Sequence, residues 1–137
     1  MTRLFTFGKT ERLTLKSRID SLFNEGNSFT ISPFKVIYLM VEQQSVPVQV
    51  LISVPKKKFR HAVDRNSLRR KIREAYRLHK HLLDASPGMD RGTLCLAFIY
   101  TGDRRDIPFP VLEEQMVRCL EQLGHLKQTG TDAQQEL

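Results

Sequence analysis

The sequence predicts an α+β fold, an α-β-β-β-α-β-α sandwich in which helices pack on one small sheet. Three observations carry that expectation. VQVLISV at 48–54 and TLCLAFIY at 93–100 are near-continuous apolar runs of strand length, as strands inside a covered sheet require. Between them, residues 64–83 repeat apolar side chains at helical spacing. The 137 residues suffice for one buried core and not for two ordinary ones, so the chain reads as a single domain over 1–127 with a polar, disordered tail at 128–137.

Taken in order, LTLKSRIDSLFNEG at 13–26 places Leu15, Ile19, Leu22 and Phe23 at helical spacing and stops at Gly26, a residue suited to a C-terminal cap. Residues 29–31 and 34–42 read as extended segments divided at Ser32 and Pro33, because KVIYLMV is rich in β-branched and aromatic residues. A polar turn at 43–46 leads into the strand at 48–54, which ends at Pro55 and a lysine run. Asp64 is a candidate N-cap for a helix running to about Leu83, before Ser86, Pro87 and Gly88 break it. After the strand at 93–100, Pro108 or Pro110 opens a last helix to about Leu123, with Leu112, Met116, Cys119 and Leu120 on its apolar stripe. No internal repeat is present.

A hydrophobic fraction of 40% with 8% aromatics belongs to a folding chain rather than a disordered one. The net charge of +7 and a pI near 9.7 favour a polyanionic partner. The charge is also concentrated. Over 56–80, eleven Lys and Arg face only Asp64 and Glu74, a local balance of +9, and the rest of the chain sums to −2. Cys95 and Cys119 sit in apolar surroundings with no CxxC, which reads as buried thiols in a reducing compartment. With no apolar run of about 20 residues and no h-region near the N-terminus, the expected location is the cytoplasm and no membrane partner is expected.

Placed around a helical axis at about 100° per residue, Leu68, Ile72, Ala75, His79 and Leu82 cluster on one side of the central helix. Asn66, Arg69, Arg70, Arg73 and Arg77 fill the neighbouring arc, with Arg65 at the helix start. Arginine suits bidentate recognition of phosphate oxygens and stacking on exposed bases. Lys56, Lys57, Lys58 and Arg60 lie just ahead of the helix, whose N-terminal amides also attract anions. Only Glu74 offers a helix-face ion pair, so mutual repulsion of the arginines is relieved best by a bound polyanion. His79 and His81 are two apart on different faces and make no metal pair, and Asp103 to Asp106 read as a loop turn. No P-loop, GxSxG or HExxH is present, so the residues point to an RNA-binding protein without a catalytic site of its own. A ribosomal protein using the same basic helix fits that description too. A protein-only nuclease would need a carboxylate cluster, which the sequence does not suggest.

The succession RLTLKSRIDSLFNEGNSF, LISVPKKKFRHAVDRNSLRRKIREAYR and LCLAFIY resembles the protein component of bacterial ribonuclease P over roughly 12–123. The resemblance implies a ribosomal-protein-like sandwich with a left-handed β-α-β crossover, against the general rule. It implies a non-catalytic subunit of a ribonucleoprotein endonuclease whose partners are ribonuclease P RNA and precursor tRNA, with no DNA expected. The RNA subunit, with Mg2+, would carry the hydrolysis that removes the 5′ leader. Arg65, Asn66, Arg69, Arg70 and Arg73 match the family's RNA-contacting helix, and two of Lys56, Lys57 and Lys58 match its preceding basic pair. Ser67 stands where the family motif carries Arg. The resemblance further implies a cleft between the first helix and the sheet that receives single-stranded leader RNA. Phe23 matches an aromatic of that cleft and Ile19 replaces another, with Phe34, Val36 and Tyr38, which share one strand face, as the remaining candidates.

Overall fold

The computed structural model describes residues 12–14, 16–41, 48–84 and 93–129. Along them run α1 (Lys16–Glu25), β1 (Asn27–Ile31), β2 (Phe34–Val41), β3 (Val48–Ser53), α2 (Ala62–His79), α3 (His81–Asp84), β4 (Thr93–Tyr100) and α4 (Phe109–Thr129). The predicted order holds with one short helix added. The expected turn at 43–46, the break at Ser86, Pro87 and Gly88, and the part of the expected tail from residue 130 on lie outside the described residues.

The four strands form one sheet in the order β1-β2-β4-β3. β1 with β2 and β2 with β4 pair antiparallel, whereas β3 and β4 pair parallel, with α2 and α3 crossing between them. The apolar character of 93–100 follows from that position: β4 is central in the sheet and covered on both faces, and seven of its eight residues are buried.

Alternation along the strands sends side chains to two separate cores. Phe34, Val36, Val50, Leu96, Phe98 and Tyr100 face α2 and α4, meeting Leu68, Ile72, Ala75 and Tyr76 of α2 and Leu112, Met116, Cys119 and Leu120 of α4. Tyr76 and Phe98 rings lie 5.9 Å apart, and Phe34 contacts Phe98 and Tyr100 edge-on at 6.1 and 6.3 Å. The opposite face holds a smaller core, Leu22 with Ile37, Cys95 and Ala97, flanked by Ile19, Leu39 and Leu51. Both cysteines are buried and free, as the sequence suggests, and burial pushes the Cys119 thiol up to about 12.

Several boundaries move for identifiable reasons. α1 starts at Lys16 rather than Leu13, because Leu13 is drawn beside β3: its N–H donates to Val50 O at 2.9 Å and its side chain is buried. At the other end Gly26 serves close approach, since a Cβ there would press on Leu22 O and lie 2.9 Å from Ile37 Cγ2. The N-cap of α2 is His61, not Asp64, and no side chain caps it. Asp64 falls within the first turn, where a carboxylate still complements the helix dipole. The helix predicted to reach Leu83 instead breaks at Lys80 and resumes as α3, with Leu83 N–H donating to Lys80 O at 3.0 Å. α4 continues past Leu123 to Thr129, into the span expected to be a tail.

Candidate nucleic-acid interface

The arginine arc emerges from the division of α2 into a buried and a solvent side. Leu68, Ile72, Ala75 and Tyr76 are buried against the sheet and α4, so the positions between them are turned outward. Asn66, Arg70 and Arg73 are exposed, and Arg65, Arg69 and Arg77 are half-buried. Just before the helix, Lys56, Lys57, Lys58 and Arg60 are all exposed around the buried Phe59, whose ring packs 5.9 Å from Tyr100 and fixes this loop to the sheet end.

The structure separates cations that face solvent from cations engaged in the protein. Among the described residues, Lys56, Lys57, Arg60, Arg70 and Arg73 have no ion pair or side-chain hydrogen bond. Arg65 turns back instead: its Nη1 donates to Phe59 O at 2.8 Å and to Arg60 O at 2.9 Å, clasping the basic loop to the helix. Arg69 Nη1 donates to Asn66 Oδ1 at 2.8 Å, leaving the Asn66 amide N–H groups for an outside acceptor. Arg77 forks onto Glu74, with contacts of 3.0 and 2.6 Å, and that hydrogen bond holds the Glu74 carboxyl below its ordinary value. Lys58 donates to Thr101 O at 2.7 Å and lies 3.1 Å from Asp103.

Ser67 is half-buried and adds no charge. His79 bonds Glu113 of α4 at 2.8 Å, and the His79 and His81 rings stand 6.4 Å apart. Among the described residues no three His, Cys, Asp or Glu side chains gather as metal ligands, and no described helix is long and apolar enough to cross a membrane.

The predicted cleft set does not come together. Ile19 and Phe23 lie on α1, with Phe23 46% exposed. Phe34 and Val36 are fully buried on the opposite face of the sheet, under α2 and α4, and Tyr38 packs against that same core with its ring 6.1 Å from Phe29. The alternation of 34, 36 and 38 is correct, but α1 covers the other set. The β2 residues on its side are Lys35, which is exposed, together with Ile37 and Leu39. The signal for them was the same period taken one residue out of phase.

A second feature escaped the sequence. The turn after β4 folds against the basic loop and forms with it an open hollow of about 560 Å3, lined by Lys57, Lys58, Arg60, Arg104 and Arg105 and by the carboxylates Asp64, Asp103 and Asp106, an excess of two positive charges. Its only trace in the sequence is the DRRD between a strand and a helix.

Residues 7–124 match the family model described as Ribonuclease P. A ribonuclease P protein component of Porphyromonas gingivalis is 40% identical over 124 residues, spanning 88% of this chain and 89% of its own. That of Chlorobium phaeobacteroides is 36% identical over 122 residues, spanning 82% and 84%. Among solved structures, the RNase P protein of Staphylococcus aureus superposes with a TM-score of 0.64 at 20% identity, covering 84% of this chain and 96% of that one. The RNase P protein of Thermotoga maritima gives 0.63 at 23% identity, covering 82% and 96%. At such identities these two superpositions speak for the fold.

Proposed function

This chain belongs to the ribonuclease P protein family, and from that premise we propose that it binds the catalytic RNA of ribonuclease P through α2 and the loop before it, and the 5′ leader of precursor tRNA beside α1. The observation that carries the RNA assignment is the row of exposed cations Lys56, Lys57, Arg60, Arg70 and Arg73, unpaired among the described residues, on one continuous stretch of loop and helix. An RNA backbone releases counterions as such groups neutralise its phosphates, which supplies affinity without demanding sequence. Arg65 contributes by shaping the loop, since its guanidinium is already shared between two carbonyls.

The leader reading rests on the α1 side of the sheet. Phe23 is exposed on the helix and Lys35 on β2, with Leu39, Leu51 and Ile99 half-buried along the same sheet face. That combination offers an aromatic ring and apolar surface to unpaired bases and a cation to their phosphates. Phe34, Val36 and Tyr38 have no part in it. In this reading the hydrolysis belongs to the RNA subunit and its Mg2+, the protein supplies no catalytic group, and the complex works in the cytoplasm.

The test mixes the purified chain with bacterial ribonuclease P RNA and precursor tRNA at low magnesium. Stimulated release of the 5′ leader is the expected result. Absence of stimulation refutes the subunit reading, and leader release without the RNA assigns the chemistry to the protein.

A further inference from the structure

The turn between β4 and α4, residues 101–107, is tied down more thoroughly than a connector requires. Thr101 N–H donates to Pro33 O at 2.7 Å, and Thr101 O receives Lys58 Nζ at 2.7 Å. Tyr100 OH donates to Arg104 O at 2.7 Å, and Lys71 Nζ of α2 donates to Ile107 O at 2.9 Å. Backbone positions at the start, middle and end of the turn are therefore held by the sheet, the lysine loop and α2 together. What this framework presents to solvent is Arg104 and Arg105, with side chains 62% and 67% exposed, flanked by the still more exposed Asp103 and Asp106.

The present partners of those arginines are weak. Arg104 Nε lies 3.6 Å from Asp106, within the turn, and Arg105 Nη1 lies 3.4 Å from Asp64 of α2. Long contacts made by exposed arginines are easily exchanged, even though Asp64 itself is half-buried, whereas a phosphate offers a guanidinium two oxygens in its own plane. Across the hollow stand Lys57 and Arg60, both without an ion pair among the described residues. A volume of about 560 Å3 open to solvent has room for a nucleotide-sized group.

We propose that the 101–107 turn is a second wall of the RNA seat, in which Arg104 and Arg105 grip backbone phosphates of an RNA segment lying across the hollow from Lys57 and Arg60. The proposal rests on the reading that the basic loop and α2 bind RNA, and extends that surface to a part of the chain some forty residues away. Asp64 acts as a placeholder: it holds Arg105 at the edge of the hollow until a phosphate takes it. RNA is favoured over an acidic protein because the wall continues a surface whose unpaired groups include the helix arginines Arg70 and Arg73.

The test compares three variants of the full chain for binding to ribonuclease P RNA across a salt series. Arg104→Ala/Arg105→Ala should weaken binding about 10-fold at moderate salt and lower the salt slope by about 1.5 to 2, as loss of two phosphate contacts requires. Asp64→Asn should bind as tightly as the parent or more tightly, since it frees Arg105 and removes a negative charge. Arg70→Ala/Arg73→Ala reports separately on the helix. If the turn variant keeps the parent's affinity and slope while the helix variant loses both, the second wall is refuted and the helix reading survives. If neither variant changes, both fall. Weakening by Asp64→Asn equal to that of the turn variant would make the Arg105 contact structural and overturn the proposal. Polyglutamate competing with RNA only when Arg104 and Arg105 are present would assign the wall to an acidic protein instead.

Discussion

Replacing Arg65 with Met keeps most of the aliphatic stem and removes the guanidinium. Two hydrogen bonds are lost, at 2.8 and 2.9 Å, and both span the junction between the basic loop and the first turn of α2. Hydrogen bonds from a charged donor contribute about 1.5–3 kcal/mol each where water is excluded. Arg65 is half-buried and Arg60 is exposed, so water replaces part of the loss, and the pair together contributes about 1–3 kcal/mol. For a domain of this size that corresponds to a fall of about 3–10 °C in melting temperature. The assay is thermal denaturation followed by circular dichroism, with Arg73→Met as the reference because Arg73 is exposed and unpaired among the described residues. Arg73→Met should melt within about 1 °C of the parent, as surface substitutions away from special features do. If Arg65→Met melts alongside Arg73→Met, the clasp is not holding the loop and Arg65 returns to the group of free RNA-facing cations.

Ile72→Ala should destabilise by about 2–5 kcal/mol in denaturant titrations, because Ile72 is fully buried between the sheet and α4 and a cavity would remain. In the native chain neither thiol should react with an alkylating reagent near neutral pH, since both cysteines are buried and desolvation raises both; mass spectrometry should find both labelled only after denaturation. The lowered carboxyl of Glu74 stabilises the fold above its ordinary titration range and ceases to do so as pH falls through the lowered value. Parent and Glu74→Gln should therefore differ slightly in melting temperature at neutral pH and converge in acid, a comparison that differential scanning calorimetry reads directly.

The elements most visible in the sequence were those whose pattern reports burial by itself. Residues 93–100 are apolar without alternation because β4 is covered on both faces, and the strand spans just those residues. The separation of Leu68 and Ile72 from Arg70 and Arg73 likewise follows from helical spacing and stands in the structure. Periodicity, however, places a side chain relative to its own element and leaves open which neighbour covers that face. Phe34, Val36 and Tyr38 do share a face, yet α1 enters from beside β3, with Leu13 bonded to Val50, and lies across the opposite one. The role of Arg65 was hidden for a different reason. A guanidinium that bonds backbone carbonyls has the same letter as one that faces solvent. In the sequence the Arg104 and Arg105 turn shows only as a loop, because its neighbours, Lys58, Asp64 and Lys71, are 36 to 43 residues away.

The placement of β4 also governs when this molecule comes into being during synthesis. β2 pairs with β1 and not with β3; the strand at 93–100 joins β2 to β3, meeting the first through eight residue pairs and the second through six. The loop and helix that carry most of the charge therefore leave the ribosome before the strand and the last helix that cover the apolar side of α2. Such late, long-range closure slows folding and leaves Leu68, Ile72 and Tyr76 uncovered on the nascent chain. A chain stopped short of residue 93 would hold every arginine of α2 but neither β4 nor α4 to cover the apolar side of that helix.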